Sequence, residues 1–315
     1  MGGTPNSRRR MSLAPIVLLV YARPEHTRRT LESLAANPLA AESELFIFAD
    51  GPKADASPTQ RENIRAVRRL IQERSWCGQV HIEASDTNRG LANSVIRAVN
   101  WLIASHGRVI VLEDDLLLGK HYLDFMNQAL DLYADEEQVF SVSGYASWTP
   151  KPMPDSYFLP ILSSWGWGTW KRAWQHFEPD AGELLHQIEA SERLDAFDFG
   201  GQNNHEMLRL QAAGKLDSWA IRFYASLFLR KGLVLFPGKS LVQNIGYDAS
   251  GTHCQEEEEE NIYTRVTYYD HQPIQKIPVR LEPKAVAQVR RARRSYHNPS
   301  IQDRIRRRVN DLLKK

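Results

Sequence analysis

The chain has 315 residues, of which 42% are hydrophobic and 25% are charged, and its formal net charge is +2. This composition is that of a globular protein, and no apolar run approaches the ~18 residues that a membrane-spanning helix needs. The two cysteines are too few for a disulfide framework or a metal cluster, and they fit a reducing cytoplasm.

The charge is unevenly distributed along the chain. From Lys284 to Lys315, eleven Lys or Arg residues stand against two Asp, which leaves a net charge of about −7 for the rest. Residues 1–13 form a basic leader. The apolar segment after it is too short for a signal peptide and lacks a small-residue cleavage site, so we expect it to be the first core strand.

Strand and helix patterns alternate through the first third of the chain. The predicted strands cover 15–21, 44–49 and 79–84, with a fourth that runs from residue 108 into three carboxylates at its carboxyl end, and the predicted helices cover 27–36, 61–73 and about 91–104. Such alternation favours a mainly parallel, doubly wound sheet with flanking helices.

The pattern then becomes less regular. We predict a helix at 122–133, a strand at 139–142 and a loop that contains Trp165-Gly166-Trp167. A helical stretch at 184–211, broken at Gly200-Gly201, precedes a helix to about residue 229 for which Asp217 is the predicted N-cap. A strand at 233–237 leads to a glycine-containing loop at 244–253.

Three consecutive carboxylates, Glu113, Asp114 and Asp115, follow the apolar run of the fourth strand. The carboxyl ends of parallel strands are where open α/β sheets bind ligands. In an extended backbone Glu113 and Asp115 would point one way and Asp114 the other. A hard cation such as Mg2+ or Mn2+, shared with the phosphates of a substrate, would relieve their repulsion, although a solvated acidic turn is the simpler alternative.

Taken in order, these segments resemble the GT-A fold of nucleotide-sugar glycosyltransferases. The segment 20–24 and the helix after it look like the first strand and helix of bacterial family 2 enzymes, with Ala22 where those enzymes usually have Asn. The segment 112–115 is similar to the Glu-Asp-Asp motif of the N-acetylglucosaminyltransferase I-like group. Trp165-Gly166-Trp167 and Gly251-Thr252-His253 are similar to two later segments of that group. The resemblance covers residues 15–255.

The resemblance implies a Rossmann-like GT-A fold with one catalytic domain and a C-terminal extension. Residues 14–118 would bind the nucleotide sugar, and residues 119–255 would bind the acceptor and carry catalysis. Residues 256–315 would comprise an acidic linker, a short β segment and a basic amphipathic tail.

The resemblance also implies roles for the carboxylates. Asp115 would ligate the divalent cation that bridges the donor diphosphate, Asp114 would bind the ribose, and Glu113 would bind hydroxyls of the donor sugar. His253 would be a second metal or phosphate ligand, or an ordinary loop histidine.

Other donor contacts are implied on neighbouring loops. Asp50 would accept from the imide N–H of a uracil-like base, or would simply form a turn before the next glycine. Asn88 and Arg89 would lie beside the nucleotide, with a surface ion pair as the alternative for Arg89, and Arg23 would contact the donor. Trp165-Gly166-Trp167 would stack against the donor and acceptor sugars. Core packing is the alternative role for at least one of the two tryptophans.

The related enzymes place a catalytic base in an Asp-Asp-Trp segment, where this chain has Asp217-Ser218-Trp219. The resemblance therefore implies Asp217 as the base that deprotonates the acceptor hydroxyl. It could instead serve only as a helix cap, and Glu206 is the reserve candidate.

The expected function is metal-dependent, inverting transfer of a sugar from a nucleoside diphosphate sugar, with UDP favoured, to a hydroxyl of a glycan or lipid-linked acceptor. A sugar-nucleotide pyrophosphorylase and a non-catalytic scaffold are the alternatives. Apolar residues Ile301, Ile305, Val309 and Leu312 on the basic tail would suit an anionic membrane surface. We therefore expect a cytoplasmic protein, peripheral on the inner membrane face, with no specific nucleic-acid partner.

Overall fold

The first half of the chain alternates strands and helices. The computed structural model describes residues 12–247, 266 and 268–297. A 3-10 helix covers Pro38–Glu42. In chain order the other elements of this half are β1 (Ile16–Val20), α1 (Pro24–Ala35), β2 (Glu44–Ala49), α2 (Pro58–Leu70), β3 (Gln79–Ala84), α3 (Leu91–His106) and β4 (Arg108–Glu113).

The second half mixes shorter strands with helices. In chain order its elements are β5 (Leu116–Leu118), α4 (Tyr122–Leu132), β6 (Val139–Ser143), β7 (Ser156–Leu159), β8 (Trp167–Trp170), α5 (Lys171–Trp174), α6 (Ala181–Ala190), α7 (Leu194–Phe197), α8 (Asn204–Ala212), α9 (Trp219–Leu229), β9 (Leu233–Pro237), β10 (Val242–Asn244) and α10 (Pro283–His297).

Eight of the strands form one sheet in the order β3-β2-β1-β4-β8-β6-β9-β7. The four strands of the first half run parallel, and Leu18 of β1 pairs with Ile47 of β2 on one side and Leu112 of β4 on the other. β8 runs antiparallel between β4 and β6 and joins the two halves. β10 and β5 form a separate antiparallel ribbon. This mixed α/β sheet with flanking helices is consistent with the Rossmann-like GT-A class that the sequence predicts.

Local signals in the sequence set the helix ends in the first half. Pro24 and Pro58 stand at the start of α1 and α2, where a missing N–H costs nothing. Ser57 caps α2 by accepting from the Gln60 N–H, and Gly107 ends α3 in the left-handed conformation with φ of 75°. β1 is buried on both faces, so its run of apolar residues lies at the centre of the core.

Several boundaries differ from prediction. β4 ends at Glu113, so the carboxylates lie at its carboxyl end as predicted, but Asp114 and Asp115 form a turn before β5 instead of extended backbone. The predicted alternation of side chains is therefore wrong for these residues, since Arg23 binds both Asp114 and Asp115.

Two predictions about the second half are also corrected. The N-cap of α9 is Ser218, whose hydroxyl accepts from the Ile221 N–H, and not Asp217. Trp167 lies in β8 and not in a loop. The predicted helix break is confirmed, since Gly200 and Gly201 have φ of 86° and 90° and separate α7 from α8.

α10 packs onto the body of the molecule beside β7. Its buried residues are Ala285, Val289, Ala292 and Arg293. The first part of the predicted tail is therefore part of the folded body, while the apolar positions at 301–312 and His253 lie outside the described residues. None of the helices in the described ranges has the length and apolar character needed to cross a bilayer.

Candidate functional site

The three carboxylates lie at the carboxyl end of the central strand β4. Asp114 and Asp115 are almost fully buried, with 5% and 7% of their surface exposed. The Thr30 hydroxyl of α1 holds their turn, because it donates to the Asp114 carbonyl at 2.9 Å and accepts from the Leu116 N–H at 3.1 Å. The turn is therefore fixed by the first helix of the sheet.

Arg23, which directly precedes α1, is the cation of this cluster. Its guanidinium donates to a carboxylate oxygen of Asp114 and, at 2.9 Å, to Oδ2 of Asp115. One guanidinium thus faces three carboxylates. Burial, and then the negative charges of Asp115 and Asp114, raise the pKa of Glu113 to about 8. Burial also raises the pKa of Asp114, although Arg23 acts in the opposite direction.

This excess of negative charge has the chemistry of a site for a hard divalent cation. Within the described part of the chain, no cluster of three or more His, Cys, Asp or Glu side chains forms an all-protein metal site. Mg2+ and Mn2+ do not require such a cluster, because one or two carboxylates suffice when substrate phosphates and water complete the coordination. The donor set around Asp115 fits that mode of binding.

The β10–β5 ribbon brings a second loop onto the carboxylates. The Ile245 N–H donates to the Asp115 carbonyl at 2.8 Å, and the Asn244 amide lies 3.4 Å from Asp115 Oδ1. A Cβ on Gly246 would lie 2.3 Å from Asp115 Oδ2 and 2.9 Å from Arg23 Nη1. Only glycine therefore allows the backbone to pass this close to the carboxylate.

Asp50 organises the loop that leads into α3. Its carboxylate accepts from the backbone N–H groups of Gly51 at 2.8 Å, Arg89 at 2.9 Å and Gly90 at 3.0 Å. It also accepts from the Asn88 amide at 2.9 Å. These bonds use most of the acceptor capacity of a carboxylate, so the structure gives Asp50 a loop-forming role. Its contact with a base stays a prediction.

Arg89 extends from this loop toward solvent. Its Nε donates to the Ser85 hydroxyl at 3.1 Å, and it forms no ion pair with another described residue. The surface ion pair considered as the alternative is therefore not formed among the described residues. Binding of a phosphate or base by Arg89 and Asn88 stays a prediction.

A cleft of about 300 Å3 opens beside the second loop. Three aromatic rings form one side of it: the ring centre of Trp165 lies 4.6 Å from that of Tyr145 and 5.9 Å from that of Tyr247. Because Tyr247 directly follows Gly246, the loop that covers Asp115 continues into this cleft. Aromatic faces with nearby hydroxyl groups are suited to binding sugar rings.

Trp165 and Trp167 have different surroundings. Trp165 lines the cleft, and its contact with a sugar stays a prediction. Trp167 has no exposed surface and stacks on Trp219 with ring centres 4.7 Å apart, so it belongs to the core, as the alternative held for at least one tryptophan. Between them, Gly166 has φ of 59°, and a Cβ there would lie 2.8 Å from Cγ2 of Val242.

Asp217 lies beside the loop that leads into α3. A Cβ on Gly90 would be 3.6 Å from its Oδ2, and its Oδ1 is 3.4 Å from Arg222 Nη2. Its side chain is 57% exposed, and Ile221, one turn further along α9, lines the cleft. Since Ser218 is the helix cap, the carboxylate of Asp217 is not committed to that task. Its placement suits a base, which stays a prediction.

The reserve candidate, Glu206, forms a closer ion pair than Asp217 does. Glu206 lies on α8, where it is half exposed and accepts from Arg209 at 2.6 Å. Neither Glu206 nor Asp217 lines the cleft, although Asn204 and Met207 near the first and Ile221 near the second do.

Most residues of the cleft, among them Tyr145, Tyr247 and Arg293, were not predicted from the sequence. Tyr145 and Tyr247 stand in irregular segments, and the sequence signal for them was weak beyond their being aromatic residues next to glycines. Arg293 reaches the cleft from α10, nearly fifty residues later in the chain, and sequence spacing gives no sign of that contact.

Comparisons with known proteins give limited information. No protein-family model matches the chain, and no curated protein matches it either. Solved structures that it is similar to include the crystal structures of S. aureus TarS and of TarS 1-349, each at 13% identity and a TM-score of 0.40. Each alignment covers 73% of this chain, but only 36% of the first structure and 60% of the second. The chain thus spans less than two thirds of the length of either, and a likeness of this size carries no argument about function.

Proposed function

We propose that the chain is a glycosyltransferase that transfers a sugar from a nucleoside diphosphate sugar, with UDP favoured, to a hydroxyl of a glycan or lipid-linked acceptor. One observation carries the proposal. A buried carboxylate cluster with a single guanidinium lies at the carboxyl end of β4, and Gly246 and Tyr247 connect it to an aromatic cleft. A charged diphosphate site beside a sugar-binding surface is what such a reaction requires.

Asp115 would hold a divalent cation, Mn2+ or Mg2+, and His253 is the proposed second ligand. When bound, the cation would neutralise the negative charge that develops on the departing diphosphate. Arg23 keeps the carboxylates of Asp114 and Asp115 oriented.

The other donor contacts are assigned by position. Asp114 would bind the ribose and Glu113 the donor sugar. The loop that Asp50 holds presents Asn88 and Arg89 toward the nucleotide.

For the chemistry, Asp217 accepts the proton of the acceptor hydroxyl as that oxygen bonds to the anomeric carbon. The bond between the anomeric carbon and the diphosphate oxygen breaks in the same displacement, and its electron pair leaves with the diphosphate. Attack opposite to the leaving group inverts the configuration at the anomeric carbon. The exposure of the Asp217 carboxylate beside Gly90, and the place of Ser218 as the helix cap, support this role.

A panel of nucleoside diphosphate sugars tests the proposal. With Mn2+, the full chain should hydrolyse or transfer from at least one donor, and EDTA should abolish the turnover. No metal-dependent turnover with any donor and a suitable acceptor would refute it. Release of pyrophosphate from a nucleoside triphosphate would instead identify a pyrophosphorylase, and binding of neither Mn2+ nor nucleotide would favour a scaffold.

The membrane association proposed for the basic tail is a separate question. The apolar positions of the tail at 301–312 lie outside the described residues. The proposed membrane association therefore depends on the sequence pattern alone.

A further inference from the structure

The two edges of the eight-stranded sheet have different surroundings. At one edge, Leu281 forms a parallel bridge with Phe158 of β7, and α10 packs beside the same strand, whose side chains are all buried. At the other edge, β3 pairs with β2 on its inner side, and no described strand pairs with its outer side. The side chains of β3 are exposed or only partly buried along its length. An uncovered edge of this kind is a template for pairing with another chain.

β3 lacks three features that commonly protect an edge strand. Its sequence contains no proline and no lysine, and its register with β2 is not interrupted by a bulge. Exposed apolar side chains lie on both of its faces. Ile82 is 39% exposed on one face, and on the other Trp101 of α3 is 51% exposed and packs edge-on against Phe46. The edge therefore offers both backbone groups and apolar surface to a partner.

The pairing of β3 with β2 determines which backbone groups of β3 point outward. The N–H groups of Gln79 and Ser85, at the two ends of the strand, donate to carbonyls of β2 or of the residue before it at 3.2 and 2.9 Å. Backbone groups alternate between the two sides of a strand, so the odd-numbered residues of β3 bind β2. The even-numbered residues direct their N–H and carbonyl groups to the open edge: Val80, Ile82 and Ala84.

We propose that the chain forms a homodimer in which β3 pairs antiparallel with β3 of a second copy, about a two-fold axis at Ile82. In this register Ile82 lies opposite the partner's Ile82, and Val80 lies opposite the partner's Ala84. Each of these pairs consists of residues with outward backbone groups, so its members exchange both of their hydrogen bonds. Their apolar side chains lie on one face of the joined strands and pack across the axis.

The charges of β3 select this register over its neighbours. With the axis at Ile82, His81 lies opposite the partner's Glu83, and the symmetry forms this pair twice. Within one chain, Glu83 is paired with Arg97. His81 Nε2 is 2.8 Å from Glu44 Oε1, so the new contact joins two existing pairs into a network of alternating acids and bases. An axis at Glu83 would instead place two carboxylates opposite each other, and an axis at His81 two imidazoles, which is unfavourable.

Sedimentation and hydrogen exchange on the full chain test the proposal without any variant. The protein should sediment as a dimer that dissociates on dilution. In NMR-detected exchange, the amide N–H groups of Val80, Ile82 and Ala84 should gain protection as the dimer forms. The amides of His81 and Glu83, which already bind β2, should change little with concentration.

Substitutions at the two edges of the sheet assign the contact. Ile82→Lys would place two cations opposite each other at the axis, so it should raise the dissociation constant of the dimer about ten-fold or more. Ile82→Pro removes an N–H that points away from β2 and should act in the same direction. Leu281→Lys is the matched control, because Leu281 is an apolar residue, 44% exposed, at the opposite and covered edge. Equal melting temperatures of the dilute, monomeric proteins would show that the variants are folded.

Three results would overturn the proposal. The first is a monomer at every concentration up to about 1 mM. The second is a dimer in which the outward amides of β3 exchange as fast as they do in the monomer. The third is a dimer that persists unchanged in folded Ile82→Lys, or that is lost in Leu281→Lys alone, since either would place the contact elsewhere. None of these measurements depends on sugar transfer, so their failure would leave the function proposed above standing.

Discussion

At the scale of single residues, Asp50 stabilises the loop before α3 by accepting hydrogen bonds from its backbone. Three N–H groups of one loop donate to its carboxylate, so Asp50→Ala would leave them without their acceptor. We expect the free energy of unfolding to fall by about 1–3 kcal/mol, measured by urea denaturation. Asp55→Ala, which removes an exposed acid of the same region, is the control. Unchanged stability of Asp50→Ala would mean that the carboxylate does not hold the loop and would favour direct contact with the base.

Asp217 is the residue on which the proposed chemistry depends. Asp217→Asn keeps the shape of the side chain but cannot accept the proton, so kcat should fall by about 10^2–10^4-fold with donor affinity unchanged. Glu206→Gln, on the exposed face of α8, should retain nearly full activity. Steady-state kinetics on both variants measures this difference. Full activity in Asp217→Asn would assign the base elsewhere.

At the scale of elements, the β10–β5 ribbon couples the carboxylates to the aromatic cleft through Gly246. In Gly246→Ala the new methyl group would collide with Asp115 and Arg23, so these side chains must shift. We expect donor turnover to fall by about ten-fold or more, while the fold remains intact.

Gly107→Ala is the control for Gly246→Ala. A Cβ at Gly107 meets no atom within 4 Å, but its φ of 75° would be strained. This variant should lose about 1 kcal/mol of stability and keep its activity. Equal turnover in both variants would contradict the importance of the close contact at Gly246.

The C-terminal helix gives a second prediction at this scale. Deletion of residues 284–315 would expose the core that Ala285, Val289 and Ala292 cover, so it should lower the melting temperature by several degrees or more. Thermal unfolding measures the change. If the protein without these residues were as stable as the full chain, α10 would not be part of the folded body.

The extent of α10 determines which deletion tests membrane association. Because residues up to 297 belong to the body, deletion of 298–315 is the appropriate variant for a membrane fractionation experiment. A shift from the membrane to the soluble fraction would support the tail hypothesis, and an unchanged distribution would count against it.

At the scale of the whole molecule, the sequence was most informative where one short segment determines the structure. The predicted limits of β2, β3 and β9 are confirmed. The apolar runs of β2 and β9, and the alternation of Val80 and Ile82 with polar residues in β3, are local signals of a strand. Glu113 was placed correctly at a strand end, but the turn at Asp114 and Asp115 is set by Thr30 and Arg23, which are more than eighty residues away in the chain.

Features that depend on long-range packing could not be predicted. Trp167 lies in a segment with the composition of a loop, yet it forms a strand because β4 and β6 both offer it an antiparallel partner. Likewise, Arg293 lines the cleft because α10 packs onto the body, a contact that the order of residues in the chain does not reveal. The sequence pattern identified the charged half of the candidate site and missed most of the aromatic half.

The most direct test of the central claim is calorimetry of UDP binding with Mn2+ or with EDTA, on the wild-type chain, Asp115→Asn and Asp131→Asn. Asp131 is the control because it is an exposed acid paired with Arg108, at the opposite end of β4. UDP should bind the wild-type chain about ten-fold or more tightly with Mn2+ than with EDTA, and this gain should persist in Asp131→Asn but disappear in Asp115→Asn. Equal affinity for UDP with and without Mn2+, or a full gain in Asp115→Asn, would contradict the assignment of the carboxylate cluster as the diphosphate and metal site.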